Sequence, residues 1–487
     1  MLPMSDNLKQ RAVSGAIWYG GSRFAMQGIS WVITIAVARA LSPSDYGLFG
    51  IALLYIGCIE FLNDMGLGSA IVQRQNLDEE ELHSLFWLTN IVGLAFYGLA
   101  LLVAPFVAKY FHQPQLTHLI WFIGLNHIIT SLQQIPWSIL TRTMDFKRRS
   151  IAEVIANLLS GLITVILAYK GWGVWALACG FLSRSTLTML QSYSQTNWRP
   201  KLKLHWPHVS QVLRFSTTLT GATVAYYVHS NAASLIIGRL LGGQSLGYYS
   251  LASRFTIDLS GRLTSIMNQV AFPVYSQLQN ESQRLKKYYL ISTEIICTLV
   301  FPAMIGLFLV ADDAIPLLLG STWTPIILPF KFLTGAAVAT TINSMVTPVL
   351  IAKGRTDLGL HFNLLCLAVL PLSFYIGAGF GLIGVCLVWV IVYPILVAFW
   401  CSCSKRIVGY AWSEFFKALA PSTASSIGMA GVVFGIMKCI PSDNHLIRTI
   451  TIIMIGLSTY IVFLLMLGRE SLHKMQILLK SYRESQP

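Results

Sequence analysis

Apolar runs of about twenty residues, the length needed to cross a bilayer, follow one another along almost the whole of this chain. Read between charge, proline and glycine punctuation, they predict about 14 membrane-spanning helices. These lie near residues 12–41, 46–72, 82–109, 116–140, 150–169, 172–194, 210–240, 246–274, 289–310, 324–350, 358–377, 381–402, 412–437 and 446–468. Composition agrees. Hydrophobic residues make up 55% of the chain and charged residues only 11%, whereas a soluble globular chain carries roughly 25% charge. Charge this sparse leaves a water-exposed surface uncovered, so the solvent is lipid and the fold class is an all-α polytopic membrane protein. The first run begins near Ala12, contains Arg23 and lacks a short apolar core with a small-residue cleavage site. It reads as a permanent span.

Lysine and arginine set the orientation, because cytoplasmic loops retain them. One set of segments holds Lys9, Arg11, Arg74, Arg142, Lys147, Arg148, Arg149, Arg199, Lys201, Lys203, Arg214, Arg284, Lys286, Lys287, Lys353, Arg355, Lys405, Arg406, Lys417 and the tail from Arg469 to Arg483. The opposite set holds only Arg39, Lys109, Lys170, Arg239, Lys438 and Arg448. Both termini are therefore expected in the cytoplasm, as an even number of spans also requires. Because the net charge of +14 is spread through these short loops, nucleic acid is not the expected partner. Asp78-Glu79-Glu80-Glu81 reads as an acidic first turn with Asp78 as its cap. In the tail, Leu472, Met475, Leu478, Leu479 and Tyr482 share one face, which suits a helix resting on the membrane surface. The eight cysteines lie in or beside apolar runs and show no paired extracellular spacing.

The chain also resembles itself. Val37–Ala52 aligns without gaps on Ile237–Ala252, 200 positions later, with Arg39/Arg239, Leu41/Leu241 and Gly47/Gly247 in register. Gly21, Ala25 and Ser30 match Gly221, Ala225 and Ser230 upstream. A second echo sets Gly171-Trp-Gly-Val174 against Gly379-Phe-Gly-Leu382, at an offset of 208. Six spans separate the copies, so both halves share one orientation, and parallel repeats of this kind place a substrate near midplane. The expected organisation is an N-terminal six-helix bundle at 1–205, its repeat at 206–408, and an extra helix pair with a cytoplasmic tail at 409–487.

An ionisable side chain at the bilayer centre costs roughly 2.5–3.5 kcal/mol on insertion scales, so each one asks for a reason. Arg254, Asp258 and Arg262 in the eighth span are four apart and fall on one face. Asp258 pairs with either arginine, leaving one surplus positive charge. Arg23 lies in the first span and Lys331 in the tenth, after Pro325 and Pro329. Glu60 and Asp64, also four apart, form a protonatable pair of like charges. Glu294, Arg184, His127, His229 and His361 complete the set, the histidines reading chiefly as packing residues. Arg39 and Arg239 end their helices and read as structural. No phosphate-binding Walker loop, HExxH, CxxC or GxSxG motif is present, so the chain reads as a transporter rather than an enzyme, without a metal or cofactor.

The stretch Arg39-Ala-Leu-Ser-Pro-Ser-Asp-Tyr-Gly-Leu-Phe49 is similar to an element of the polysaccharide flippases of Wzx type, within the multidrug/oligosaccharidyl-lipid/polysaccharide exporter superfamily. Asp64–Arg74, Leu140–Arg149 and Gly171–Leu177 resemble the branch exporting colanic-acid-like and teichuronic-acid-like polymers. The resemblance implies a two-lobed, V-shaped bundle of 12 or 14 helices in the bacterial cytoplasmic (inner) membrane. It also implies alternating access and movement of an undecaprenyl-diphosphate-linked oligosaccharide to the periplasmic leaflet. Membrane lipids, a polysaccharide polymerase and export machinery are the partners it suggests. In related lipid II flippases basic residues on the first, second and eighth helices face the cavity, and Arg23 and Arg254 match by helix and type. On the second helix this chain departs, presenting Glu60 and Asp64. The expected diphosphate-binding set is Arg23, Arg254, Arg262 and Lys331, because arginine's forked donors suit phosphate. Coupling to H⁺ or Na⁺ is expected at Glu60, Asp64, Asp258 or Glu294. A drug/cation antiporter would want an acidic, aromatic cavity instead, and a glycan polymerase or ligase a sizeable outer loop. The largest outer loop expected here is around Ala311–Trp323.

Overall fold

The computed structural model describes residues 26–63, 79–142, 146–202, 220–437 and 445–468, with the backbone alone at 60–63, 142, 146–149 and 220–224. Nearly all of these residues are helical and none is in a strand. In chain order the helices are α1 (Met26–Ala40), α2 (Pro43–Asn63), α3 (Glu79–Tyr110), α4 (Gln115–Gly124), α5 (Asn126–Arg142), α6 (Phe146–Tyr169), α7 (Val174–Gln195) and α8 (Thr220–Ile236). A π-turn at Ile237–Leu241 leads into α9 (Gly242–Phe255) and α10 (Ile257–Gln277). There follow α11 (Ser282–Leu319), a 3₁₀ turn (Ser321–Ile326), α12 (Ile327–Ala352), α13 (Thr356–Ala378), α14 (Gly381–Val408), α15 (Trp412–Met437) and α16 (His445–Leu467).

Among the described residues, eight helical segments are by themselves long and apolar enough to cross a membrane. Their outward side chains are apolar, as Phe106 on α3 (74% exposed) and Ile395 on α14 (65%) illustrate, which is the pattern of a chain solvated by lipid. Two expected spans are interrupted. The fourth breaks at Leu125, and the eighth breaks at Thr256, whose hydroxyl turns back onto the Ala252 carbonyl at 2.8 Å. Back-bonding of this kind bends helices. The outer loop expected around Ala311–Trp323 is absent. Instead α11 continues to Leu319, reverses at Gly320 and enters the 3₁₀ turn directly.

Contacts divide the chain into two compact units, 1–247 and 248–487. In the first, α2 packs on α4, α3 on α5, α5 on α7, and α6 on α7. In the second, α10 packs on α12, α11 on α12, α12 on α14, and α13 on α14. The second list is the first with each span advanced by six. Gly173 and Gly381, partners in the second sequence echo, both adopt positive φ at the start of α7 and α14. The pair α15–α16 lies against α11 through Leu309, Val310, Met429, Val433, Ile452, Tyr460 and Leu464.

Prolines inside helices serve as attachment points. A proline lacks the N–H that would satisfy the carbonyl four residues earlier, and in hydrocarbon an unpaired carbonyl costs several kcal/mol. Four such carbonyls receive a donor from a neighbouring helix. Trp121 donates to Leu101 (Pro105) and Tyr193 to Leu132 (Pro136). Tyr460 donates to Thr298 (Pro302), and Asn268 to Ser344 (Pro348). Each pair pins two helices at one height.

Candidate functional site

The break at Thr256 puts Arg254 at the end of α9, while Asp258 and Arg262 open α10. The three therefore do not share one unbroken helix, yet Asp258 feels the charge of both arginines. All three are exposed, although Leu259, Ser260, Thr264, Ala271 and Tyr275 of α10 are buried. The buried set defines the side of α10 that packs on α12, where Ser260 meets Thr340 at 3.5 Å. On the opposite side Asp258, Arg262, Ser265 and Gln269 form an accessible stripe. Two arginines and an aspartate facing acyl chains would each cost roughly 2.5–3.5 kcal/mol. A stripe of this composition asks for a polar or charged counterpart.

Arg23 and Asp64 lie outside the described residues, as does the side chain of Glu60. Lys331 is taken up by Asp312 at 2.6 Å and stands over the Phe308 ring, so its charge is already answered. Glu294 is buried in α11. Arg184 is exposed on α7. His127 is fully buried at the start of α5, against Phe96, and neither ring nitrogen has a partner. His229 packs edge-on to Tyr226, and His361 bonds the Asp357 carbonyl within its own helix. The ionisable candidates of the second unit thus separate into an exposed stripe and residues already engaged or buried elsewhere.

The first sequence echo has a tertiary meaning that alignment alone did not disclose. A Cβ built on Gly47 would stand 1.7 Å from the Gly243 carbonyl oxygen, and one built on Gly247 would stand 1.8 Å from that of Pro43. Residues 43 and 243 are themselves equivalent at the offset of 200. Each copy of the motif presses its bare glycine onto the backbone of the other, a reciprocal contact of the kind a two-fold axis generates. Ser42 and Asp45 cap α2 reciprocally at this crossing, Ser42 Oγ lying 2.6 Å from the Asp45 carboxylate. Nearby, Arg239 approaches His112 Nδ1 at 2.6 Å and covers the Tyr110 ring, in keeping with a structural role.

Reasoning from charge missed a second cluster. Asp313 is buried in α11 and accepts from His445 Nδ1 at 2.8 Å, with Arg448 Nε 3.3 Å away. Among the described residues, no group of three or more His, Cys, Asp or Glu side chains is placed to hold a metal ion.

Comparison with known proteins supplies the context. The profile of a family described as polysaccharide biosynthesis protein matches residues 36–328. The lipopolysaccharide biosynthesis protein WzxC of Escherichia coli (strain K12) is 25% identical over 421 residues, 85% of either chain. The teichuronic acid biosynthesis protein TuaB of Bacillus subtilis (strain 168) is 22% identical over 435 residues, 88% of this chain and 90% of its own. Among solved structures, the lipid II flippase MurJ in an inward closed conformation superposes with a TM-score of 0.74 at 17% identity, covering 93% of this chain and 99% of that one. An inward-facing multidrug resistance transporter of the MATE family, in the MOP superfamily, gives 0.63 at 16% identity, covering 78% and 94%. The likenesses to solved structures show that the chain has the helical fold of those two proteins.

Proposed function

Because this chain belongs to the polysaccharide biosynthesis protein family, we propose that it flips a lipid-linked oligosaccharide, carried on undecaprenyl diphosphate, from the cytoplasmic to the periplasmic leaflet. The observation that carries the reading is the accessible stripe of Arg254, Asp258 and Arg262. It is net positive and turned away from the packed side of its helix. A diphosphate moving through a low-dielectric region needs such fixed cations, and guanidinium groups meet its oxygens with paired donors. Arg23 on the first span is proposed to join them. Lys331, held by Asp312, is a lesser member of the set.

Glu60, Asp64, Asp258 and Glu294 are the carboxylates proposed to couple transport to H⁺ or Na⁺. The chain is proposed to lie in the bacterial cytoplasmic membrane with both termini inside. Its two six-helix repeats, 1–205 and 206–408, would work by alternating access, delivering substrate to a polysaccharide polymerase and export machinery. The positive surplus speaks against a cation antiporter, and the continuous helix in place of an outer loop speaks against a polymerase or ligase.

Arg254→Ala tests the reading. In a strain dependent on this chain for surface polysaccharide, the variant should reach the membrane normally yet lower export at least tenfold. Hydrogen bonds to charged groups are worth about 1.5–3 kcal/mol. The accumulated lipid-linked sugar, identified by mass spectrometry, names the glycan. Undiminished export would remove the arginine stripe from the mechanism.

A further inference from the structure

At the end of α14 expected in the cytoplasm, the chain turns back through a short, fixed connection. Gly409 takes a positive φ of 78°, and its N–H closes the last turn on the Lys405 carbonyl at 2.9 Å. Tyr410 is buried, its hydroxyl 2.7 Å from both Ser404 Oγ and the Cys401 carbonyl. The turn sets Trp412, the first residue of α15, against Lys405, whose Nζ stands 5.5 Å from the ring centre. Phe416 stacks on the same indole one turn further on. From here the two helices part, α14 packing on α12 and α13, and α15 on α11 and α16.

Three cations lie at this shared end without a carboxylate. Arg406 and Lys417 are exposed, and Lys405 is half-buried. No acidic residue occurs in α14, and the single one in α15, Glu414, is already engaged. It bonds Lys286 of α11 at 2.9 Å and accepts from the Ala411 N–H at 2.8 Å. Among the described residues, Lys405, Arg406 and Lys417 form no ion pair. The carboxyl end of α14 favours Lys405 and Arg406, but Lys417 lies near the amino end of α15, whose dipole disfavours a cation. An anion at this level would answer all three.

The surroundings indicate which anion. Phe416, Ile427 and Phe434 of α15 and Ile395 and Phe399 of α14 are all more than half exposed. Such faces border acyl chains, and aromatic rings at the edge of the border mark headgroup level. A free phosphate gains nothing from that border, whereas a phospholipid meets it with headgroup and chains together. Basic clusters between spanning helices on the cytoplasmic side suit anionic headgroups.

We propose that Lys405, Arg406 and Lys417 hold the phosphate of an anionic phospholipid from the cytoplasmic leaflet, its upper acyl carbons resting against Trp412 and Phe416. The bound lipid links α14 to α15 where the two helices diverge. The assignment does not depend on the transported substrate.

The test is native mass spectrometry of the full-length protein in detergent, titrated with dioleoylphosphatidylglycerol or dioleoylphosphatidylcholine. One phosphatidylglycerol should be retained at least about fivefold more tightly than phosphatidylcholine. Lys405→Gln, Arg406→Gln and Lys417→Gln should each weaken its retention about two- to fivefold, the worth of one basic residue at an anionic headgroup. Lys405→Arg, which keeps the charge and the ring contact, should retain it. A control carrying Lys201→Gln, Arg284→Gln and Arg355→Gln removes three charges elsewhere on the same expected side and should leave retention unchanged. Equal retention of the two lipids, equal loss in the control, or no loss in the variants at the turn overturns the proposal. So does displacement of the lipid by equimolar sodium phosphate or polyprenyl diphosphate, which would give the cations to a free anion or to the transported lipid.

Discussion

Replacing Gly247 with alanine adds a single methyl group at the reciprocal crossing of α2 and α9. That methyl would lie 1.8 Å from the Pro43 carbonyl oxygen, and real Cβ atoms essentially never approach closer than 3.0 Å. The two backbones must therefore separate by at least about 1.2 Å, since neither side has a flexible side chain to move aside. Overpacking of this kind costs about 1–3 kcal/mol. Gly47→Ala imposes the same demand on the Gly243 carbonyl, at 1.7 Å, so the two substitutions should behave alike. Gly243→Ala provides the control. It lies on the same helix, has nothing within 4 Å of its new Cβ, and should gain up to about 1 kcal/mol of helix propensity.

The assay is thermal unfolding of the purified protein alongside surface polysaccharide export. Gly247→Ala and Gly47→Ala should fold, lose stability and lose export together. If the crossing belongs to a closed state, a cost of 1–3 kcal/mol shifts that state's population about 5- to 150-fold. A cysteine placed beside Ser42, on the expected outer side, should then label faster in these variants. Equal behaviour of Gly243→Ala and Gly247→Ala would refute the reasoning, because it would assign the effect to helix propensity rather than to the backbone approach.

Asp313→Ala should cost about 1.5–3 kcal/mol, the worth of a charge-assisted hydrogen bond. In thermal unfolding it should not add to His445→Ala, since both remove the 2.8 Å contact holding α16 to α11. Tyr460→Phe should destabilise by about 1–3 kcal/mol through the unmet Thr298 carbonyl. In a Pro302→Ala background that cost should vanish, because the carbonyl regains its helical donor, and an unchanged cost would disprove the pinning account.

The helical character, the ordered run of apolar segments and the repeat were legible in the sequence because each depends on local chemistry. Transfer of an apolar run into lipid is decided residue by residue, and a 200-residue echo is visible to alignment. The arginine stripe could be found the same way, since a charge in an apolar run is conspicuous. Ser265 and Gln269 continue that stripe but are uncharged, so a search for ionisable groups passes over them.

Tertiary structure decided the rest. Gly47 and Gly247 were visible as matched letters, but only folding shows that each rests on the other copy's backbone. Lys331 looks like a free cation until α11 brings Asp312 to it, and Asp313 finds His445 across 132 residues of chain. Nor does the sequence disclose that the donors of Tyr460 and Asn268 answer prolines on other helices. Local free energies select the helices and their order, whereas the partner of a buried polar group depends on which helices pack and at what height, a relation that distance along the chain does not record.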